Sequence, residues 1–317
     1  MKPRDMPLAQ RPQQYAGDTY YGMPAVKPPP FGWHVAAYLF LSALGGASQI
    51  VATLAGLFGG ARMKSVANYG RDIATAAALT GPALLILDLK TPRRFYNMLR
   101  IVRRTSPMSI GSYTLTAFAA TSTVAAAASA SDTDARLQPL FDAPAAAAGA
   151  GMLVYTGAMF ASTSTPLWAA QSPLLSARYA ASGFACASAA LAMIETLHGR
   201  RSNAAALERL GVTATVAYAA ISECAEAKAR AAHAASPLDE APLRALHRAS
   251  KALAVAVPLA CHALKALAPR HARSLSLVAA LSTLAGAALA RYVDLYAGKA
   301  SAKKPRDYLT LTNGSAR

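Results

Sequence analysis

Residues that can donate hydrogen bonds or carry protons lie at the ends of several long apolar runs in this sequence. His34 and Tyr113 each lie at the start of such a run, and Asp88 lies at the end of another. If an imidazole, a phenol and a carboxylate lie together at the entrance of one pocket, they could hydrogen-bond the oxygens of a ligand and pass protons to it. This chemistry requires a fold that brings the ends of different runs together.

Composition indicates that these runs belong to a membrane protein. Of the 317 residues, 54% are apolar and only 15% are charged, whereas soluble proteins carry about a quarter charged residues. The net charge of +17 could instead indicate binding to nucleic acid. However, the basic residues lie between apolar runs of spanning length and not along one helix face. The sequence therefore favours a membrane protein over a nucleic-acid-binding one.

Eight runs are long enough to cross a bilayer, because its hydrocarbon core needs about 20 mostly apolar residues in a helix. The predicted spans are residues 34–57, 71–87, 109–130, 144–168, 178–197, 206–226, 250–268 and 274–296. Many are rich in small residues, such as the pair Gly45-Gly46, which let helices cross closely. The predicted fold is all-α, a polytopic transmembrane helix bundle of about eight spans, with both termini on the same side. The bundle occupies residues 31–297, between a Pro-rich N-terminal arm (1–30) and a basic C-terminal tail (298–317).

The distribution of Lys and Arg predicts the orientation of the bundle. The loops and tails on the side of the termini carry 21 Lys and Arg residues, whereas those on the other side carry nine. In this count Arg178 is a loop residue on the side of the termini, and Arg71 is a loop residue on the other side. Cytoplasmic segments are enriched in basic residues. Both termini and the loop at residues 88–108 are therefore predicted to be cytoplasmic.

The same topology assigns a depth to the remaining ionisable residues. Tyr38, Glu226 and Asp294 lie near the membrane surface in this arrangement, where charges and phenols can reach water. Arg291 and Glu223 lie deeper, and we expect them to pair inside the bundle, because an unpaired charge within a membrane is costly.

Neither the cysteines nor the histidines predict a bound metal. Cys186, Cys224 and Cys261 fall in separate apolar runs without a CxxC motif, so we expect all three to be small buried residues. Of the histidines, only His34 and His262 lie in predicted spans. Their depths differ by about 12 residues, or about 18 Å of helix, which is too far for the two axial ligands of one haem. We predict no haem and no metal in this chain.

The loop at residues 88–108 mixes basic and aromatic residues, reading DLKTPRRFYNMLRIVRRTSPM. Such a loop fixes the topology, and it could also bind an acidic partner surface through electrostatic complementarity. The candidate docking residues are Arg93, Arg94, Arg103 and Arg104.

Specific motifs are spread over nearly the whole chain. They read YYGMP at 20–24, GWH at 32–34, LDLKTPRRF at 87–95, TSPMSIGSY at 105–113 and RYV at 291–293. Together they resemble the NrfD/polysulfide reductase family of integral membrane subunits. Residues 119–290 resemble that family chiefly in their pattern of spans.

The resemblance implies a multi-pass subunit of the bacterial inner membrane that binds a quinone or quinol, either menaquinone or ubiquinone. Such a subunit exchanges electrons with a docked iron–sulfur, ferredoxin-like protein, which serves a molybdopterin-type catalytic subunit. By itself it catalyses no reaction. The resemblance places the quinone pocket at His34, Asp88 and Tyr113, and it makes Glu223 and Arg291 candidates for proton transfer. On chemical grounds too, a quinone needs an apolar slot and a few groups that hydrogen-bond its two carbonyls.

Two other functions stay open at this point. A membrane transporter would account for ionisable residues within helices rich in Ala and Gly, although the two halves of the chain show no internal repeat. A purely structural membrane anchor would keep the basic loop but would tolerate the loss of His34 and Asp88.

Overall fold

A computed structural model of the protein describes residues 26–100, 102–103, 105–131, 134, 136–304 and 307. Most of the predicted N-terminal arm, including its motif at 20–24, lies outside the described residues. So do Arg104 and most of the predicted C-terminal tail. Within the described ranges all regular structure is helical, which confirms the all-α prediction.

Eight long helical segments form the bundle across the described ranges, and each overlaps one predicted span. They are α1 Trp33–Phe58, α2 Lys64–Asp88, α4 Pro107–Ala130, α5 Gln138–Ala161, α7 Leu174–Leu197, α8 Arg201–Ala231, the unit of α9 Leu243–Lys251 and α10 Val257–Leu267, and α11 Ala272–Ser301. A π-helical turn, Ala252–Ala256, joins α9 to α10. Two short helices, α3 Asn97–Arg100 and α6 Pro166–Gln171, lie in connections.

Six of these eight segments are long and apolar enough to cross a membrane, judged by length and composition. They are α1, α5, α7, α8, the α9–α10 unit and α11. A seventh span is counted only if α2 and the short turn before it are joined with residues 92–100 into one broken span. The chain bends by 119° between these two parts. The structure is that of a multi-pass membrane protein, and the count of eight spans stays a prediction.

Helix α1 packs against α2, α5, α7 and α11, and small residues allow this. A Cβ atom at Gly46 would lie 2.5 Å from the carbonyl oxygen of Gly149 on α5, and one at Gly45 would lie 2.6 Å from the Cβ of Ala77 on α2. The backbones are therefore nearly in contact. This confirms the close crossing predicted from the Gly45-Gly46 pair.

We call the end of the bundle where α1 begins and α11 ends the proximal end. There Lys299 Nζ donates a hydrogen bond to the Phe31 carbonyl at 2.8 Å. The rings of Phe160 and Trp168 stack there, with centroids 4.0 Å apart. Trp168 Nε1 donates to the Asp294 carbonyl at 2.9 Å, so that α6 is fixed against α11. The largest part of the apolar core surrounds these rings.

At the opposite, distal end a buried ion pair joins α2 to α5. Arg71 donates to both carboxylate oxygens of Asp142, through Nε at 2.8 Å and Nη2 at 2.7 Å. Asn68 accepts from Arg71 Nη1 at 3.0 Å, and Gln138 Nε2 donates to Asp142 at 3.1 Å. The sequence-based placement of Arg71 in a loop was wrong, because α2 begins seven residues earlier, at Lys64.

Candidate functional site

His34 and Asp88 meet at the proximal end because α1 begins where α2 ends. His34 lies in the first turn of α1, and Asp88 is the last residue of α2. The Asp88 carboxylate accepts a hydrogen bond from the backbone N–H of Gly32 at 3.0 Å. His34 Nδ1 lies 3.6 Å from the same oxygen. Two residues far apart in sequence therefore form one carboxylate–imidazole pair.

This pair is accessible to a ligand, and its two side chains are not hydrogen-bonded to each other. Its side chains are 27% and 18% exposed, and 3.6 Å is too long for a direct hydrogen bond. The imidazole of His34 stacks on the ring of Trp33, with centroids 4.1 Å apart. An imidazole held in this way can donate a ring N–H to a ligand oxygen.

Tyr113 lies in the second turn of α4 and points to the preceding connection. Its hydroxyl donates a hydrogen bond to the Leu99 carbonyl at 2.6 Å, and the residue is 37% exposed. The structure thus brings His34 and Asp88 into contact, whereas it places the Tyr113 hydroxyl on the loop between α2 and α4. The role predicted for Tyr113 stays a prediction.

The basic loop presents its side chains outward. Arg93 and Arg94 lie on a short 3₁₀ turn, Pro92–Arg94, and both are exposed, as is Arg103. Phe95 and Tyr96 follow at once, with exposures of 43% and 56%. An exposed surface that combines guanidinium groups with aromatic rings is suited to binding an acidic partner.

A second group of polar residues is buried behind the stacked rings of the proximal end. Asp294 accepts a hydrogen bond from the Tyr179 hydroxyl at 3.1 Å and lies 2.7 Å from Arg178 Nη2. The Arg291 guanidinium lies over the Tyr179 ring, 3.5 Å from its centroid, and its Nη1 is 4.0 Å from Asp294. We call Arg178, Tyr179, Arg291 and Asp294 the interior cluster.

The interior cluster holds two guanidinium groups against one carboxylate. Arg291 is 1% exposed, and its Nε and Nη1 have no hydrogen-bond partner among the described residues. Its predicted position inside the bundle is confirmed. Arg178 was expected in a loop, and that expectation was wrong, because the residue lies within α7. The side chain of Asp294 is 16% exposed, and its expected position near the membrane surface stays a prediction. Arg178 and Asp294 form an ion pair because the second turn of α7 packs against α11.

A family model described as polysulphide reductase, NrfD, matches residues 23–302, most of the chain. The protein belongs to the NrfD family. The match includes His34, Asp88, Tyr113 and the basic loop, and it covers the interior cluster as well. No curated protein sequence matches the chain. Membership of the NrfD family, together with the apolar helices, identifies a multi-pass membrane protein and is consistent with a membrane anchor of a redox complex.

In this NrfD-family protein Glu223 lies at the surface and not inside the bundle. Its side chain is 62% exposed and forms an ion pair with Lys251 of α9. The expectation of a buried Glu223 was therefore wrong, since α8 extends beyond the predicted span to Ala231 and turns this face outward. Glu226, one turn later, accepts from His247 at 3.2 Å and from Lys251 at 3.3 Å.

Below this surface network, a cavity of about 20 Å³ is lined by Glu226 and His247 on one side and by Arg178 and Asp294 on the other. This is room for about one water molecule. The adjoining cleft between α8 and the π-helical turn has a volume of about 250 Å³ and is lined by Glu223, Lys251 and apolar residues. Polar groups thus continue from the surface to the interior cluster.

Three further expectations from the sequence need comment. Tyr38 is buried, with 2% of its surface exposed, so its side chain packs inside the bundle and does not reach water as expected. Cys186 and Cys261 are buried as expected, but Cys224 is exposed. Among the described residues, no group of three or more His, Cys, Asp or Glu side chains could hold a metal ion.

The sequence missed the partners within the interior cluster and at the distal ion pair. Arg178 and Asp294 are separated by more than a hundred residues, as are Tyr179 and Asp294. One signal was present in the sequence. Arg291 and Asp294 stand one turn apart within an otherwise apolar run, a spacing that places both on one face of a helix.

Proposed function

We propose that this protein is the quinone- or quinol-interacting membrane subunit of an iron–sulfur/molybdopterin oxidoreductase complex. It would pass electrons between the membrane quinone pool and a docked iron–sulfur subunit. The observation that carries the proposal is the His34–Asp88 pair, an accessible imidazole beside a fixed carboxylate at the bundle end. Membership of the NrfD family supports it.

The donor set fits the chemistry of a quinone. On reduction, a quinone takes up protons at its two carbonyl oxygens. His34 would donate a hydrogen bond to one of these oxygens. Asp88 would pass a proton to His34 during quinone reduction and accept one from it during quinol oxidation. The N–H of Gly32 holds the Asp88 carboxylate in position. Tyr113 is proposed as a further donor, which would exchange its bond to the Leu99 carbonyl for one to the quinone.

The proposed partner is an iron–sulfur, ferredoxin-like protein that docks on the basic loop. Arg93, Arg94 and Arg103 are exposed there, and Arg104 completes the set in the sequence. We place this loop on the cytoplasmic side of a bacterial inner membrane. Removing Arg71 and Arg178 from the loop counts, as the structure requires, leaves the excess of basic residues on that same side.

Proton transfer through the interior cluster is part of the proposal. Arg291 is the candidate on the inside, and Glu223, at the mouth of the cleft beside α8, is the candidate on the surface. The groups between them are Lys251, Glu226 and His247. A single water in the cavity beside Asp294 would connect this chain of groups to Arg178.

The test is quinol oxidation or quinone reduction by the complex purified from its native membrane. We expect His34→Ala to lower turnover about a hundredfold or more, the usual effect of losing a general acid or base. The matched control is His198→Ala, which removes a histidine at the distal end, where His198 lies 3.5 Å from the Tyr69 hydroxyl.

An iron–sulfur partner that co-purifies with both variants, with turnover lost only in His34→Ala, would support the proposal. Equal turnover in both variants would leave a structural anchor. A solitary chain that moves a solute across vesicles would favour a transporter.

A further inference from the structure

Helix α9 carries basic residues on one face at the start of a candidate membrane span. The segment Leu243–Leu267 is long and apolar enough to cross a membrane, and α9 forms its first nine residues. Arg244, Arg248 and Lys251 follow one another at spacings of four and three residues, which places them on the same face of the helix. Long basic side chains at the end of a span reach the level of the lipid headgroups.

Beyond this basic face, the π-helical turn Ala252–Ala256 leaves an open cleft beside α8. The turn packs more closely against α11 than against α8. On the side of α11 there is no free space, because a Cβ atom at Gly286 would overlap the backbone nitrogen of Ala254. Ala254 is buried there, whereas Ala252 and Ala256 are exposed. The cleft of about 250 Å³ on the side of α8 is therefore not filled by the described chain.

The cleft is lined mainly by small apolar side chains. Ala219 of α8 lines one wall, and Val255 and Ala256 of the π-helical turn line the other. Lys251, the last residue of the basic face, also lines the cleft and pairs with the exposed Glu223. The volume is far larger than that of one water molecule, about 30 Å³, and apolar walls offer water few hydrogen bonds. The size and the lining of the cleft suit a hydrocarbon chain.

The charges around the cleft favour an anion at its entrance. The acidic side chains of this region already have basic partners among the described residues; they are Glu223, Glu226, Asp239 and Glu240. By contrast, Arg244 and Arg248 are exposed and form no ion pair with another residue in the described ranges. Basic groups beside a pocket between membrane helices bind the headgroups of anionic phospholipids.

We propose that the cleft between α8 and the π-helical turn binds an anionic phospholipid. One acyl chain occupies the cleft, and the phosphate binds Arg248 and Arg244, which lie one and two turns before Lys251 on α9. The inference does not depend on the quinone site, because no described residue of α1 or α2 lines this cleft.

The test is photolabelling of the full-length protein, purified with any bound partners and placed in lipid nanodiscs. The probe is a phosphatidylglycerol with a diazirine in one acyl chain, and the control probe is a phosphatidylcholine with the same chain. Labelled peptides are mapped by mass spectrometry. The double variant Arg244→Gln/Arg248→Gln removes the two free charges of α9. Its matched control, Arg270→Gln/Arg273→Gln, removes two exposed arginines at the other end of the α9–α10 unit.

We expect the phosphatidylglycerol probe to label the π-helical turn or the facing part of α8 about fivefold or more above the phosphatidylcholine probe. One basic residue near an anionic headgroup changes binding by about fivefold. Arg244→Gln/Arg248→Gln should therefore lower the phosphatidylglycerol labelling to the level of phosphatidylcholine, and the control double variant should not.

A second pair of variants tests the cleft itself. Ala256→Phe places a ring in the cleft and should abolish labelling there, while the thermal unfolding temperature stays close to that of the wild type. Ala260→Phe is the matched control, because Ala260 is exposed one turn later and does not line the cleft. Equal labelling by the two probes, labelling unchanged in Arg244→Gln/Arg248→Gln, or displacement of the probe by excess quinone would overturn the proposal.

Discussion

Two ion-pair groups among the described residues, one at each end of the bundle, differ in how completely they are paired. At the distal end Arg71 and Asp142 form two parallel hydrogen bonds, and Asn68 and Gln138 bind the remaining atoms. In the interior cluster Arg178 and Arg291 share the single carboxylate of Asp294, and two nitrogens of Arg291 have no described hydrogen-bond partner. The distal group has the features of a structural lock. The interior cluster keeps unused hydrogen-bond donors among the described residues, which fits its proposed role of holding a water molecule on a proton path.

The largest expected effect is at the distal pair. Asp142→Ala leaves the Arg71 guanidinium buried without its carboxylate, and we expect the free energy of unfolding to fall by about 3–5 kcal/mol. SDS titration in mixed micelles measures it. Asp134→Ala, in the exposed connection after α4, should change it little. If the double variant Arg71→Leu/Asp142→Leu is as unstable as Asp142→Ala, the interpretation of this pair as a lock is wrong, because replacing both charges should recover most of the loss.

The second effect extends the comparison to the His34–Asp88 pair. A Cβ atom at Gly32 would lie 2.6 Å from Asp88 Oδ1, so Gly32→Ala must push the carboxylate away from its present position. We expect quinol turnover to fall about tenfold or more, since small displacements of a reacting group are costly. The thermal unfolding temperature should hardly change, because the end of a side chain can move easily. A large loss of stability with normal turnover would contradict this account.

The third effect is the smaller stability change expected in the interior cluster. Arg291→Met should alter the free energy of unfolding by no more than about 1 kcal/mol, because Asp294 keeps Arg178 as its partner. Arg178→Met should cost more, about 2 kcal/mol, because it removes the close ion pair while Arg291 Nη1 remains 4.0 Å from Asp294. If Arg291 takes part in proton transfer, turnover in proteoliposomes falls while the protein stays folded. Equal losses of stability in both variants would make the interior cluster a second lock.

The smallest effect lies outside the membrane. The Arg230 guanidinium donates to Asp239 at 2.8 Å and holds the pKa of this carboxyl below its usual value of 3.8. The pair therefore stabilises the fold above that value, and the contribution is lost as pH falls below it. Because Asp239 is 56% exposed, solvent screening limits the contribution to well under about 1 kcal/mol. Asp239→Asn should flatten the acid limb of the stability curve slightly, and an unchanged limb would show that the pair contributes nothing.

The sequence predicted the helices well because apolar run length directly reflects the thickness of a bilayer. It also placed His34 and Asp88 correctly at helix ends. It could not predict which faces of the helices meet. Arg71 and Asp142, or Arg178 and Asp294, become partners only through the packing of distant segments. For the same reason Glu223, which was assigned to the interior by its depth alone, turned out to face outward.

The measurement that tests the central claim most directly is photoaffinity labelling of the purified complex with an azido-quinone, followed by peptide mapping. The account predicts labelled peptides that contain Trp33 and His34 or the end of α2, with labelling suppressed by excess quinone and lost in His34→Ala. The result that would contradict it is specific labelling confined to the cleft between α8 and the π-helical turn, at Tyr218 or Val255, and unaffected by His34→Ala.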